Sequence, residues 1–169
     1  MLKMTTTSVK NNLKVILDQL SSVYNEASPL TRAPNIPRLV AVSKTKPKEL
    51  VIEAYESGQR HFGENYVQEL VDKSSDPVII DKCPDIKWHF IGTIQSNKVG
   101  KIVKTVNLDL VETISSMKLV ERFQHNCLLN KVSKLGIMIQ VYLHKLIYAF
   151  ELFFKNGTNF SIDFDYNIG

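Results

Sequence analysis

The sequence predicts an α/β fold built on a parallel sheet. Five short apolar segments rich in β-branched residues recur along the chain, and helix-spaced apolar residues follow each of the first four. Gly, Pro or polar residues separate these segments. Strands that alternate with helices form parallel sheets with right-handed crossovers. The pattern therefore predicts a doubly wound sheet or part of a (β/α) barrel, which needs eight strands and about 250 residues.

The first predicted elements are a helix, a connection and a strand. Apolar residues over 9–24 follow one helix face, and the two prolines within 31–37 indicate a connection. Residues 38–43 predict a strand that is buried on both faces. Pro47 fits the first turn of the next helix, and Gly58 is suited to end it.

Four more strands follow along the chain. They are predicted at 59–63, 86–92, 108–114 and 135–141, with Glu64 and Asn65 in the turn after the second strand. Helices are expected after each of the first three of these strands, and Ser115 or Ser116 is the predicted N-cap of the last one. The polar segment 74–85 is predicted to be a loop.

Beyond Val141 the pattern changes. Residues 142–154 are densely apolar without a clean polar face, and residues 160–166 alternate like a half-buried strand. We therefore expect two parts, an α/β domain over 1–141 and a divergent hydrophobic tail over 142–169.

Composition narrows the class of protein. The 21 basic and 17 acidic residues are interspersed, so the net charge of +4 does not predict nucleic-acid binding. Cys83 and Cys127 have no metal-ligand or disulfide spacing, so we expect no metal site and two free thiols. No apolar run predicts a membrane span or secretory signal. We expect a cytoplasmic protein, with mitochondrial import as the alternative because Asp18 is the first acidic residue.

Lys44 is the residue that most strongly suggests chemistry. It follows the apolar strand Leu39–Val42 and one serine, and the carboxyl ends of parallel strands are where such folds build their sites. A neutral lysine amine can form an imine with a carbonyl compound. A single lysine is more often a solvated surface charge, so other segments must support the assignment.

Three segments supply that support: AVSKTKP at 41–47, GQRHFGENYVQE at 58–69 and WHFIGTIQSNK at 88–98. In this order and spacing they resemble the pyridoxal phosphate homeostasis proteins, also called proline synthetase co-transcribed homologues, over roughly residues 10–141. The resemblance implies a (β/α) barrel of the alanine-racemase N-terminal type, incomplete here, with about five of the eight β/α units.

The resemblance also implies a function. Proteins of this family bind pyridoxal 5′-phosphate (PLP) as an imine on the lysine that matches Lys44, and they are regarded as monomeric regulators of vitamin B6 level without established catalysis. The expected cofactor-binding residues are Lys44, Asn65, His89 and Gln95. Local chemistry leaves alternatives open, because Asn65 suits a helix cap or turn and His89 suits a hydrogen-bonded core position.

Two motifs of the family do not occur in this sequence. These are a Gly-x-Ser-x-Asp-like turn and a late Arg-Ile-Gly-like segment that hold the phosphate and face the ring nitrogen. We therefore expect weak retention of PLP. The change of sequence after Val141 suggests an alternative transcript or a gene-model error, which transcript reads across the junction would decide.

Two other classes of function remain open. A PLP-dependent racemase or a lysine-dependent aldolase could use Lys44, although a racemase needs a second acid or base that the sequence does not mark. A non-catalytic interaction fragment could bind a partner through its basic surface or aromatic tail. Exchange of the α-proton of amino acids supports the enzyme, and salt-dependent nucleic-acid binding supports the interaction fragment.

Overall fold

A computed structural model describes residues 8–140 of the chain. They form one five-stranded parallel sheet in which each strand pairs with the next one along the chain. The strands are β1 (Ala41–Val42), β2 (His61–Glu64), β3 (Lys87–Phe90), β4 (Leu108–Ile114) and β5 (Gly136–Ile139). The order β1-β2-β3-β4-β5 has no reversal, whereas a doubly wound sheet reverses its order at a switch point. The predicted parallel α/β fold is confirmed as an unclosed, barrel-like sheet.

Six α-helices connect or precede the strands. They are α1 (Val9–Glu26), α2 (Lys48–Glu56), α3 (Val67–Ser74), α4 (Pro77–Lys82), α5 (Val99–Val103) and α6 (Met117–Leu129), and a 3₁₀ turn (Ser96–Lys98) precedes α5. Among the described residues, no helix has both the length and the apolar character that crossing a membrane requires.

The two faces of the sheet have different surroundings. Phe62, Trp88 and Phe90 are buried on the outer face, where they pack with apolar residues of the helices such as Leu70 and Phe123. Burial of large aromatic and aliphatic side chains is the main stabilising contribution in such a core. On the inner face, Val42 is 52% exposed and Met138 is also exposed, whereas His89 is buried. We call these the outer and inner faces below.

Several predicted boundaries are wrong. β1 has only two residues, β3 and β5 are shorter than predicted, and Glu64 is the last residue of β2 rather than part of the turn. Residue 141 of the predicted fifth strand and the predicted tail over 142–169 lie outside the described residues. Only Leu13 of the predicted apolar face of α1 is buried, while Ile16 is exposed.

The segment 74–85 is not a loop throughout, because it contains α4. The Asp76 carboxylate accepts hydrogen bonds from the backbone N–H groups of Val78 (2.8 Å) and Ile79 (3.4 Å), and Pro77 occupies the first turn. An acidic N-cap followed by proline is a recognised start of a helix. The polar composition of the segment concealed this local signal.

Candidate functional site

The segments that carry Lys44 and Asn65 lie side by side at the carboxyl edge of the sheet. The pairing of Val42 with Gly63 continues beyond β1, because the Ser43 N–H donates to the Gly63 carbonyl at 3.0 Å. Lys44 and Asn65 follow the carboxyl ends of these two paired strands, β1 and β2. Two of the four residues expected to bind the cofactor therefore occupy neighbouring strand ends.

Lys44 lies in a tight turn between β1 and α2, and its side chain is exposed. The Lys46 N–H donates to the Ser43 carbonyl at 3.0 Å, and Thr45 has a left-handed backbone with φ of 60°. A β-branched residue adopts this conformation only when its surroundings enforce it. Here the Thr45 N–H donates to Glu69 Oε2 at 2.7 Å, which supplies that constraint.

An ionic cluster beside the Lys44 turn holds the backbone of that turn in place. Lys73 Nζ lies 2.8 Å from the Ser43 carbonyl, 2.7 Å from Glu64 Oε1 and 3.0 Å from Glu69 Oε2. The Ser43 hydroxyl also donates to Glu64 Oε1 at 2.7 Å. We call Ser43, Glu64, Glu69 and Lys73 the Lys73 clamp. It holds the residue before Lys44 directly and, through Glu69, the residue after it.

The Lys73 cation forms ion pairs with both carboxylates of the clamp, Glu64 and Glu69. The hydrogen bond from the Thr45 backbone lowers the pKa of Glu69 below its usual value, and the Lys73 cation lowers it further. The Glu64 side chain is fully buried, and its second oxygen, Oε2, has no partner among the described residues. A buried carboxylate is tolerated when a cation and hydrogen bonds compensate its charge, and here Lys73 and Ser43 provide both.

Asn65 borders a cleft that does not include the Lys44 turn. The cleft has a volume of about 490 Å³ and is lined by Asn65, Tyr66, Val67, Gln68, Gly92, Thr93, Gln95, Lys98 and Lys101. The side-chain oxygen of Asn65 is buried and has no partner among the described residues. The volume is within the range of small-molecule sites, and the lysine ammonium groups are suited to an anionic group. These properties fit a phosphate ester such as PLP.

The structure brings Asn65 and Gln95 to the same cleft, but Lys44 and His89 are not among its lining residues. Gln95 is exposed in the loop before the 3₁₀ turn. Gly92 lines the cleft and must remain without a side chain, because a Cβ on it would lie 2.1 Å from the Asn65 carbonyl oxygen. The Thr113 hydroxyl donates to the Gly92 carbonyl and holds this segment against β4.

His89 is buried on the inner face, one residue before the carboxyl end of β3. Its Nδ1 lies 2.7 Å from Glu112 Oε1, and its Nε2 lies 2.9 Å from Nδ1 of His61. An ionised carboxylate only accepts, so the proton on His89 belongs on Nδ1 and Nε2 accepts from His61. Burial lowers the pKa of His61 to about 4, and the nearby Arg38 cation and His89 also lower it. His61 is therefore a neutral imidazole near pH 7.

The sequence did not predict the contacts within the Lys73 clamp or the contact between His61 and His89 on the inner face. The spacing of Glu69 and Lys73 on one helix face was the only local signal, since residues four apart on a helix are neighbours. Glu64 and Lys73 meet because α3 packs beside β2, which local sequence does not specify.

No model of a known protein family matches the chain. The human pyridoxal phosphate homeostasis protein is 59% identical over 86 residues, which cover 51% of this chain and 31% of that protein. The Vibrio alginolyticus protein of the same name is 40% identical over 136 residues, covering 79% of this chain and 55% of that protein. The chain thus spans about a third to about half of the length of these curated relatives.

Solved structures agree on the fold. PipY of Synechococcus elongatus, solved with PLP bound, matches with a TM-score of 0.56 and 33% identity over 76% of this chain and 55% of PipY. A protein of unknown function from Bifidobacterium adolescentis matches with a TM-score of 0.63 over 77% of this chain and 59% of that protein. Its identity of 24% supports the fold alone.

Proposed function

Because this chain is a homologue of the pyridoxal phosphate homeostasis proteins, we propose that it binds PLP as an imine on Lys44 and acts in PLP homeostasis. The observation that carries the proposal is the position of Lys44 at the carboxyl edge of the sheet, on a turn whose flanking residues are held by the Lys73 clamp. PLP contains an aldehyde, which reacts with a neutral lysine amine.

Each neighbouring group has a separate role in this proposal. The exposed Lys44 side chain is accessible to an aldehyde from solvent, and the clamp limits the positions that its backbone can take. A fixed backbone reduces the entropy lost when the lysine and the cofactor are joined. The Asn65 amide and the cleft beside it supply polar groups that would orient the bound molecule, with Gln95 at the rim. His89 would act only indirectly, since it lies deeper on the inner face.

The first test uses the neighbouring lysine as a matched control. Purified chain mixed with PLP should develop an imine absorption that borohydride reduces to a stable adduct, and peptide mass spectrometry should locate the adduct on Lys44. Lys44→Ala should lose both signals because no amine remains at that position. Lys46→Ala, which removes an exposed lysine from the same turn, should keep them. An undiminished adduct in Lys44→Ala would falsify the assignment.

We propose a carrier or regulator of PLP rather than an enzyme with turnover. The support is the name shared by the curated relatives, which refers to homeostasis and to no reaction. The alternative, a racemase that uses the same lysine, predicts exchange of the α-proton of amino acids above the level of Lys44→Ala. Exchange at the level of that variant supports the carrier.

We also propose that the protein is cytoplasmic and monomeric. Cys83 and Cys127 are both free, and burial raises the pKa of each thiol above its usual value. Protonated, buried thiols react slowly, and free cysteines are typical of reducing compartments. Cell fractionation tests the compartment against mitochondrial import, and light scattering of the purified chain tests the monomer.

A further inference from the structure

Three side chains from neighbouring strands converge on the inner face of the sheet. They are His61 of β2, His89 of β3 and Asp109 of β4. His61 Nδ1 lies 2.9 Å from His89 Nε2, and Asp109 Oδ2 lies 3.7 Å from each of those two nitrogen atoms. The two contacts to Asp109 are too long for hydrogen bonds, so hydrogen bonding alone does not account for the arrangement.

The three atoms have the spacing of ligands around one metal ion. A point equidistant from all three, in a triangle with sides of 2.9, 3.7 and 3.7 Å, lies about 2.0 Å from each atom. Zinc binds imidazole nitrogen at about 2.0–2.1 Å and carboxylate oxygen at about 2.0–2.2 Å. An ion at this point would replace the hydrogen bond between His61 and His89, and the proton of the neutral His61 ring would move from Nδ1 to Nε2 so that Nδ1 can bind the ion.

A β-bulge brings the carboxylate to this position. Trp88 pairs with Leu108 but His89 pairs with Leu110, so Asp109 is an additional residue on β4. Bulges redirect side chains and are frequent beside functional sites. Without the register shift, the alternation of β4 would not direct both Asp109 and Glu112 toward His89.

The other nitrogen of His89 is oriented as in known metal sites. Its Nδ1 is hydrogen-bonded to the Glu112 carboxylate at 2.7 Å, which leaves Nε2 without a proton, 2.9 Å from His61 Nδ1 and 3.7 Å from Asp109 Oδ2. Histidine ligands almost always donate their second ring N–H to such a carboxylate or carbonyl. The site is also accessible, because the side chains of His61 and Asp109 are 17% and 31% exposed.

Two cationic side chains near Asp109 would repel a metal ion bound at this position. Arg38 Nη1 lies 3.6 Å from Asp109 Oδ2, and Lys87 Nζ lies 3.8 Å from Asp109 Oδ1. Both side chains are about half exposed, so each can turn into solvent and remain hydrated. The Asp109 and Glu112 carboxylates compensate part of the added charge.

We propose that His61, His89 and Asp109 bind a divalent first-row transition metal ion such as Zn²⁺. Two imidazoles and one carboxylate are typical ligands of such ions, and three protein ligands leave a position for water or a small ligand. The bound ion would also join β2, β3 and β4 across the inner face. Lys44 is not one of the three ligands, so metal binding can be measured on the chain without PLP.

The test measures binding of Co²⁺ and Zn²⁺ to the full 169-residue chain. Co²⁺ should produce visible d–d absorption that one equivalent of Zn²⁺ removes, and Zn²⁺ should raise the melting temperature. Asp109→Asn and His61→Gln should each weaken Zn²⁺ binding by more than about tenfold, and Glu112→Gln by about 10–100-fold. Circular dichroism checks that each variant folds, and the nearly isosteric Asp109→Asn is the one least expected to disturb the sheet.

Two control variants distinguish Zn²⁺ bound at this site from Zn²⁺ bound elsewhere on the chain. His125→Gln removes an exposed histidine of α6 and should bind Zn²⁺ like the unmodified chain, as should Lys46→Ala, which removes an exposed lysine. Unchanged Zn²⁺ affinity in folded Asp109→Asn and His61→Gln would place the ion elsewhere and overturn the proposal. Absence of Zn²⁺ binding at micromolar concentration would leave an ordinary hydrogen-bonded histidine pair and overturn it equally.

Discussion

Replacing Lys73 with methionine is expected to lower the free energy of unfolding by about 3–5 kcal/mol, because the substitution leaves a buried carboxylate without its cation. Glu64 is fully buried, and Lys73 Nζ is 2.7 Å from its Oε1 atom. Methionine retains most of the apolar volume of lysine, so the loss reports charge and hydrogen bonding rather than a cavity. Urea unfolding of the two proteins measures the difference.

A double variant distinguishes this explanation from a general loss of packing. Glu64→Gln combined with Lys73→Met removes both charges and should recover part of the stability, since no uncompensated charge stays buried. If the loss in free energy of unfolding in the double variant equals the sum of the losses in the two single variants, the ionic explanation is wrong. Lys14→Met is the matched control, because Lys14 forms a solvent-exposed ion pair with Asp18 and should cause no measurable loss.

The same substitution tests how the clamp contributes to the site. Lys73 also binds the Ser43 carbonyl and Glu69, which fix the residues on both sides of Lys44. Lys73→Met should therefore reduce the yield of the borohydride-trapped adduct under conditions where the variant is still folded. Lys14→Met should leave that yield unchanged.

Replacing Gly92 with alanine should have the second large effect. The added Cβ would lie 2.1 Å from the Asn65 carbonyl oxygen and 2.8 Å from two other Asn65 backbone atoms. Backbone cannot rotate away as a side chain does, so the ends of β2 and β3 must separate. We expect a loss of at least about 2–3 kcal/mol in the free energy of unfolding and a lower PLP affinity, because the cleft beside Asn65 is displaced.

Gly100 provides the matched control for this substitution. It lies inside α5, and a Cβ there would contact only the end of the flexible Asn126 side chain. Alanine is favoured over glycine within helices by about 1 kcal/mol, so Gly100→Ala should be neutral or stabilising. Thermal unfolding and PLP titration of the two variants compare them directly. Equal stability of Gly92→Ala and the unmodified chain would contradict the predicted close approach.

Local patterns anticipated much of the fold. The strand predicted over 108–114 has the observed bounds of β4. Of the two predicted N-caps, Ser115 and Ser116, it is Ser116 that accepts a hydrogen bond from the Leu119 N–H at the start of α6. Such features depend on side chains a few residues apart, which the sequence displays directly. The helix at Pro77–Lys82 was missed although its cap is also local, because its polar residues masked the start signal.

Sequence alone determined the succession of strands and helices apart from α4, and it marked Lys44 and Asn65 as residues that follow strand ends. Apolar periodicity reports which face of an element is buried, and strand ends follow from it. The tertiary structure decided that Lys73 neutralises Glu64, that Gly92 must pass close to Asn65, and that Asp109 reaches His61 and His89. These contacts join residues that are distant in the chain, and they depend on strand register, helix packing and one β-bulge. Pairing across the sheet sets these features, so no local spacing in the sequence could specify them.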